Sequence, residues 1–501
     1  MKELELKLHV DERAWAPVER ELKARGQSRR ERLRAAYFDS ADRRLAQAGM
    51  ALRLRREGRR WVQTLKGGAA HDVERFEHNV ERPGAGAQMP AIDPSLHAGT
   101  PVGDALLALF DVPEPPPLQE LFQTDVQRLS ARVRTRWGEV ELALDRGEIT
   151  AAGASLPVRE LEIELVSGRA QAVIETARRW LKAQPDGALW LDSRSKAERG
   201  DCLARGVAAS PAAKSAPAQL APQMPLPEAW VGVMRSCVAQ ILPNASAVLA
   251  GAGSAEHVHQ LRVGIRRLLS AHRLFDGVPP AGWEAALRDW FSLLGQARDR
   301  EVLISQFEPA LQAAGAPPVP SAPEVQPHDT APRAATLALL DLVECALTAA
   351  GPAALPMPAG PDAPTLGEHA TRRLRRWHRR AMADAPSFET LDDEARHRLR
   401  KRLKRLRYGL EFCSACFAAK PLARYLRRLR DAQEALGEFN DLAVAGAAFR
   451  ERVADRPDDA NAWFALGWLA ARREQSIGAA GARLQRLRRA TKFWKGAKRS
   501  P

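Results

Sequence analysis

The sequence predicts an α+β chain in two parts: short strands closing into a barrel with a charged lumen, then an all-α region built of two copies of one helical unit. Three observations predict it. Short segments within residues 1–203 alternate leucine with charge, and the charges are sorted by sign from one segment to the next. An Ala/Pro/Ser-rich stretch, 204–227, separates them from a long Arg- and Leu-rich region. That second region, 228–490, repeats itself.

The first segment, MKELELKLHV, puts Glu3, Glu5 and Lys7 on one strand face and Leu4, Leu6 and Leu8 on the other, because successive strand side chains point to opposite faces. ALRLRRE repeats the pattern with Arg53 and Arg55, WVQTLKG with Thr64 and Lys66, and ERFEHNV with Arg75 and Glu77. LSARVRTRW lines up Arg132, Arg134 and Arg136, GEVELALDRG lines up Glu139, Glu141 and Asp145, and RELEIELVSG lines up Glu160, Glu162 and Glu164. A solvated sheet has no reason to sort charges into acidic and basic strands. A barrel with a polar lumen and its leucine faces covered by helices does. Facing carboxylates then need cations between them, and hard oxygen ligands suit Mg²⁺ or Mn²⁺. The arginines and lysines need an anion, and phosphate matches guanidinium geometry. Such a lumen fits a metal-bound chain of phosphates. Hydrolysing its terminal phosphoryl group needs neutralised oxygens and a water placed in line.

In the helical half, HQLRVGIRRL at 259–268 resembles HRLRKRLKRL at 397–406, and LLGQARDREVL at 293–303 resembles ALGEFNDLAVA at 435–445. The offsets, 138 and 142 residues, indicate two copies of one helical unit. On a helix His259, Arg262 and Arg266 share one face, and His397, Arg400 and Lys404 share the equivalent one, flanked by Lys401. Two such helices form a basic groove suited to a flexible polyanion. The Leu-Gly pairs at 294–295 and 436–437 are read as turns, with Arg298-Asp299 and Asn440-Asp441 after them capping and tying helices. Pro/Ala stretches near 312–333 and 350–365 are read as loops between helices, and 491–501 as a basic tail.

At 501 residues the chain holds two or more domains, and 76 Lys+Arg against 61 Asp+Glu give a net charge of +15 that favours a polyanionic partner. The five cysteines form no disulfide framework; Cys413 and Cys416, spaced C-x-x-C in an apolar helical stretch, are read as packed thiols. No basic-then-apolar leader opens the chain and no apolar run reaches membrane-spanning length, so the expectation is a cytoplasmic protein without membrane insertion. No recognition module for sequence-specific nucleic-acid binding is present.

ELELK at 3–7 resembles the E-x-E-x-K signature of CYTH domains, the triphosphate tunnel metalloenzymes. The likeness extends over residues 1–203 through YFDSADRRL, GMALRLR, TLK, FQTD, ELALDRG, LEIEL and SRSKAERG. This resemblance implies an antiparallel β-barrel tunnel in which Glu3, Glu5, Glu162, Glu164 and Asp145 hold the metal. It implies phosphate contacts from Lys7, Arg53, Arg55, Lys66, Arg132, Arg134 and Lys196, with Glu3, Glu5, Lys7 and Glu164 catalytic. Metal, water and structural roles are all open to Glu77, Arg128, Glu141 and Asp145. Where many smaller family members carry K-x-R, this chain has Thr124-Asp125-Val126, a form that resembles the long bacterial members acting on inorganic triphosphate.

VHQLRVGIRR, LGQARD, LKRLRYGLE and ALGEFNDL resemble the CHAD domain, a helical domain of two similar bundles associated with inorganic polyphosphate. The resemblance implies that His259, Arg262, Arg266, His397, Arg400, Lys401 and Lys404 contact polyphosphate, and it extends the location to polyphosphate granules. The function expected is therefore metal-dependent hydrolysis of inorganic triphosphate to diphosphate and phosphate, with the helical domain binding polyphosphate. Thiamine triphosphatase, a CYTH-type adenylate cyclase and a non-catalytic polyphosphate scaffold are the alternatives.

Overall fold

The computed structural model describes residues 2–25, 27–67, 74–82, 88–114, 116–278, 282–316, 333–348 and 364–494. Among them one antiparallel sheet is built from β1 (Lys2–Val10), β2 (Arg29–Ser40), β3 (Ala51–Glu57), β4 (Arg60–Gly67), β5 (Glu74–Arg82), β6 (Leu118–Thr135), β7 (Gly138–Ala151), β8 (Ala154–Gly168) and β9 (Leu189–Leu191). The strand order is β5-β4-β3-β2-β6-β7-β8-β1-β9. β1 pairs with β8 over Glu5–His9 and turns its other edge to β5 over Lys2–Leu4 and to β9 over Leu8–Val10. Three residue pairs thus stitch the ring at one end of the tunnel, and β9 takes the place of β5 at the other.

Five helices belong to this half: α1 (Glu12–Ala24), α2 (Arg44–Gln47), α3 (Pro101–Leu109), α4 (Gln171–Ala183) and α5 (Lys196–Ala204). The leucine face of β1 is buried outside the tunnel among Trp15, Val18 and Leu22 of α1 and Val173, Ile174, Ala177 and Trp180 of α4. These positions recur at helical spacing, and each buried leucine contributes roughly 2 kcal/mol. The helix α5 starts at Ser195, whose hydroxyl accepts from the Glu198 N–H and so fixes where Lys196 enters the lumen. Gly200 lets this helix lie against β6, since a Cβ there would stand 2.2 Å from the Phe122 ring.

The second half consists of α6 (Leu226–Leu249), α7 (Ala255–Leu274), α8 (Glu284–Val302), α9 (Glu308–Ala313), α10 (Arg333–Thr348), α11 (Leu366–Ala383), α12 (Asp393–Phe412), α13 (Ala419–Asp455) and α14 (Ala460–Arg488). The repeat helices α7 and α12 pack on one another. The Leu-Gly pairs are not turns: Gly295 lies inside α8 and Gly437 inside α13. A Cβ at Gly295 would stand 3.0 Å from Arg262 Nη1, a tight approach, whereas one at Gly437 would meet Arg400 Nη2 only at 4.0 Å, an ordinary contact. In both copies a glycine on one helix faces an arginine on its neighbour, the pairs being Arg262/Gly295 and Arg400/Gly437. Asn440 does tie helices, its Oδ1 accepting from His397 Nδ1 at 3.1 Å; the Arg298 side chain lies outside the described residues.

Residues 205–225 form no helix or strand, yet they are bound along the helical half. Ala213 exchanges two hydrogen bonds with Asn244, Ala216 O accepts from Ser236 Oγ, and Ser210 O lies 2.9 Å from His257 Nε2. Across the two halves Arg178 of α4 donates to Asp341 and Glu344 of α10 at 2.8 and 2.7 Å, and Ser193 N donates to Ser246 Oγ. One apolar cluster runs from β1 through α4 and β9 into α6, α7 and α12. Phe493, at the start of the expected basic tail, is fully buried against Phe417 and Tyr425; residues 495–501 lie outside the described residues, as do 317–332 and 349–363 of the expected loops. The cysteines are free, with Cys413 buried and Cys416 half-buried. No helix among the described residues is long and apolar enough to cross a membrane.

Candidate functional site

The barrel encloses a cavity of about 780 Å³. Glu5, Lys7, Arg53, Arg55, Lys66, Asp145, Glu162, Glu164 and Lys196 all line it. The Glu3 side chain lies outside the described residues.

Strand register sorts the lumen into rows. Arg132, Glu141, Glu164 and Glu5 oppose one another in turn across β6, β7, β8 and β1. Ser130, Ala143, Glu162 and Lys7 form the next row, and Arg128, Asp145, Glu160 and His9 the third.

The lower two rows neutralise themselves. Asp145, Glu160 and Glu162 bring a carboxylate oxygen each within 4.8 Å of one another, a grouping that could hold a metal ion. However, the Lys196 ammonium occupies this place, 2.7 Å from Asp145, 2.9 Å from Glu162 and in contact with Glu160. Arg128 adds a two-pronged contact to Asp145 at 2.7 Å and reaches Glu162 at 2.5 Å, while Arg199 holds Glu160. Three acids therefore face three cations. Burial pushes the Glu162 carboxyl up, but Lys196 and Arg128 outweigh it and hold the group well below the usual carboxylate range.

The upper row is different. Lys7 donates to Glu5 at 3.1 Å, and Glu141 is approached only by the exposed Arg132 at 3.4 Å. Glu164 has no hydrogen bond or ion pair among the described residues. Burial and the neighbouring charge of Glu5, then of Glu141 and Glu162, raise its carboxyl above the usual range despite the attraction of Lys66. An unpaired carboxylate between two others is short of positive charge, and its hard oxygens fit a divalent cation.

The opposite wall is cationic. Arg53 donates to the Tyr37 hydroxyl at 3.2 Å, Arg55 Nε donates to Glu57 at 2.7 Å, and Lys66 pairs with Glu77 at 2.6 Å. Tyr37 is the aromatic residue among those lining the cavity, and it stacks on Phe122 at 4.5 Å.

Two expected phosphate contacts lie elsewhere. Arg132 and Arg134 are on the lumen face by alternation, but both are exposed and neither lines the cavity, because β6 runs past the mouth of the barrel. Lys196 is inside yet spent on carboxylates. Arg128, whose role the sequence left open, and Glu160, aligned there with Glu162, complete that network with Arg199 of α5; the register across β6, β7 and β8 brings its strand members together.

In the helical half, α7 and α12 bring the two basic stripes together. Arg262 donates to Leu294 O at 2.9 Å and lies over the Phe291 ring, as does Arg266. Arg400 stands 4.0 Å from Asp441, Lys401 is exposed, and His259 is half-buried. Burial, then the charges of Arg266 and Arg400, pull the Lys404 amine down to about 6. Burial and the charge of Lys401 likewise lower the His397 imidazole. Crowded cations of this kind call for an anion.

Residues 1–200 match the family model described as CYTH domain, and residues 232–450 the one described as CHAD domain. Over 172 residues, 33% of the chain, the sequence is 31% identical to the inorganic triphosphatase of Haemophilus influenzae. The chain spans 44% of that relative's length, less than half. Among solved structures it is similar to the CHAD domain from the plant Ricinus communis, with 29% identity over 57% of this chain and all of that one and a TM-score of 0.46. It is also similar to a Hippeastrum protein described as a putative adenylyl cyclase with a dominant triphosphatase activity. That likeness has 18% identity over 40% of this chain and 95% of that one, with a TM-score of 0.29.

Proposed function

For a chain that carries a CYTH domain followed by a CHAD domain, we propose metal-dependent hydrolysis of inorganic triphosphate in the barrel, coupled to polyphosphate binding by the helical half. The observation that carries this reading is the unpartnered Glu164, set between Glu5 and Glu141 and facing an Arg/Lys wall across one cavity. Glu5, Glu141 and Glu164 would hold a divalent cation, Mg²⁺ or Mn²⁺; when bound, it neutralises charge on the phosphate oxygens. The Glu162–Lys196–Asp145 group stays a structural support for the row above it.

Arg53, Arg55 and Lys66 grip the non-bridging oxygens and hold the chain in line. With the cation bound beside it, Glu164 would orient the attacking water and accept its proton. The water oxygen bonds to the terminal phosphorus as the anhydride bond breaks, and diphosphate leaves against the cationic wall. Tyr37 is engaged by Arg53 and Phe122, so among the described residues no lining aromatic is free to stack on a nucleobase, which favours inorganic triphosphate over a nucleotide. In the helical half, His259, Arg262, Arg266, His397, Arg400, Lys401 and Lys404 bind the longer polyphosphate chain.

The test is phosphate release from triphosphate, ATP and thiamine triphosphate with Mg²⁺ or Mn²⁺, for wild type and Glu5→Gln. Metal-dependent release from triphosphate that the substitution removes supports the reading. No release from any of the three, with polyphosphate still bound, leaves a scaffold.

A further inference from the structure

A second basic cleft lies apart from the α7/α12 groove. Arg424, Arg427 and Arg428 on α13 face Arg483 and Arg486 on α14, and Arg489 just past its end, across a cavity of about 860 Å³ that continues into a smaller one. The spacing puts each set on one helix face, at i, i+3, i+4 and at i, i+3, i+6. Tyr425, Leu429, Leu484 and Leu487 are buried behind them, so both faces are fixed by the core.

The arginines are not consumed by the protein. The side chains of Arg424, Arg427, Arg428, Arg486 and Arg489 form no hydrogen bond or ion pair within the described residues, while Arg430 of the lining pairs with Glu411 at 3.7 Å. Arg483 donates only to the backbone carbonyl of Asp431 at 3.3 Å. Asp431 and Glu434 are the carboxylates of the lining and neither is ion-paired among the described residues, leaving the cleft strongly positive. Unpaired like charges brought together on two packed helices favour a polyanion that enters between them.

We infer that this cleft is a second binding site for a linear chain of phosphates. Guanidinium forks suit phosphate oxygens rather than a point charge. Among the described residues no aromatic side chain lines the cleft, so these offer no stacking platform of the kind single-stranded nucleic acid uses. It presents no large apolar side chain either, and its concave shape suits a thread rather than a lipid surface.

The inference goes beyond the groove reading, and the test separates the two. Binding of long-chain inorganic polyphosphate and of a single-stranded oligonucleotide is measured against salt in a background carrying Arg400→Glu and Lys404→Glu, so that the cleft is read alone. Adding Arg428→Glu and Arg486→Glu should weaken residual polyphosphate binding at least about fivefold and lower the slope of log affinity against log salt by about 1.4, two phosphate contacts' worth. Triphosphate hydrolysis and the melting temperature should stay unchanged, since both side chains are exposed. Residual polyphosphate binding that the added substitutions leave intact overturns the cleft. Oligonucleotide binding that falls as much as polyphosphate binding also overturns it, in favour of nucleic acid. If Arg400→Glu and Lys404→Glu leave wild-type affinity untouched while the cleft changes remove it, the groove reading fails and the cleft stands.

Discussion

Glu5 and Glu164 stand directly opposite one another on β1 and β8, two carboxylates in one row of a barrel, and Lys7 pairs with the first while the second has no partner among the described residues. Opposed like charges at this spacing destabilise a sheet. The proposed divalent cation would relieve that repulsion in this row.

Glu164→Gln should lower the rate of triphosphate hydrolysis by about 10² to 10⁴, the range for a lost general base. Its effect on stability has the opposite sign. The raised carboxyl binds protons more readily in the folded chain than in the unfolded one, so its ionisation works against folding at neutral pH. The melting temperature of the metal-free variant should therefore exceed wild type at pH 7, and the difference should vanish below the ordinary carboxylate range. A melting temperature that falls at pH 7 would count against the unpaired carboxylate.

Lys196→Met should destabilise the fold by roughly 3–5 kcal/mol, because it leaves three clustered buried carboxylates with Arg128 and Arg199 as their remaining cations. Urea unfolding measures this directly. A pure phosphate contact would instead lose activity with stability unchanged. The depressed Glu162 carboxyl also gives the wild type an acid-labile contribution, present above the ordinary carboxylate range and lost as pH falls toward its folded value.

Arg53→Ala and Arg132→Ala should separate the cavity wall from the rim. The first removes a lining donor and should cost about 10² or more in rate, the scale of one preorganised anion contact. The second removes an exposed side chain beside Glu141 and should change the rate by less than about threefold, its ion pair being worth at most ~1 kcal/mol.

Lys404 offers a proton count. Its amine is pulled down to about 6, whereas the unfolded chain keeps the ordinary value, so stability rises with pH between the two. A bound polyanion restores the proton. Calorimetry of polyphosphate binding at pH 7.5, in buffers of different ionisation enthalpy, should show proton uptake that Lys404→Met abolishes.

The glycines of α8 and α13 should respond unequally to alanine. Gly437→Ala meets only a 4.0 Å contact and should gain most of the ~1 kcal/mol that helix propensity offers. Gly295→Ala presses on Arg262 Nη1 at 3.0 Å, so it should gain less and loosen the bond to Leu294 O. Thermal melts of the two variants make the comparison.

Much of this architecture was legible in the sequence because a period of two assigns every strand side chain to a face. Alternation alone put the β1 leucines outside and set Glu5, Arg53, Arg55 and Lys66 toward one lumen. Alternation does not say how far a strand extends beyond the barrel, which is why Arg132 and Arg134 looked like wall residues. Nor does it reveal register between strands, so the closed Arg128–Asp145–Glu162–Lys196 network was invisible. Leu-Gly resembles a helix stop, yet both helices run on through it, and the approach of Arg262 accounts for the glycine at 295 alone.

The apolar cluster that passes from β1 through α4 and β9 into α6 has a consequence for how the chain comes apart. A cut within 205–225 would sever one covalent connection and leave the buried seam of Trp180, Leu189 and Ala229 in place. The fragments should therefore stay associated after proteolysis and melt together in a single transition. Each fragment made alone would expose that seam to water and aggregate.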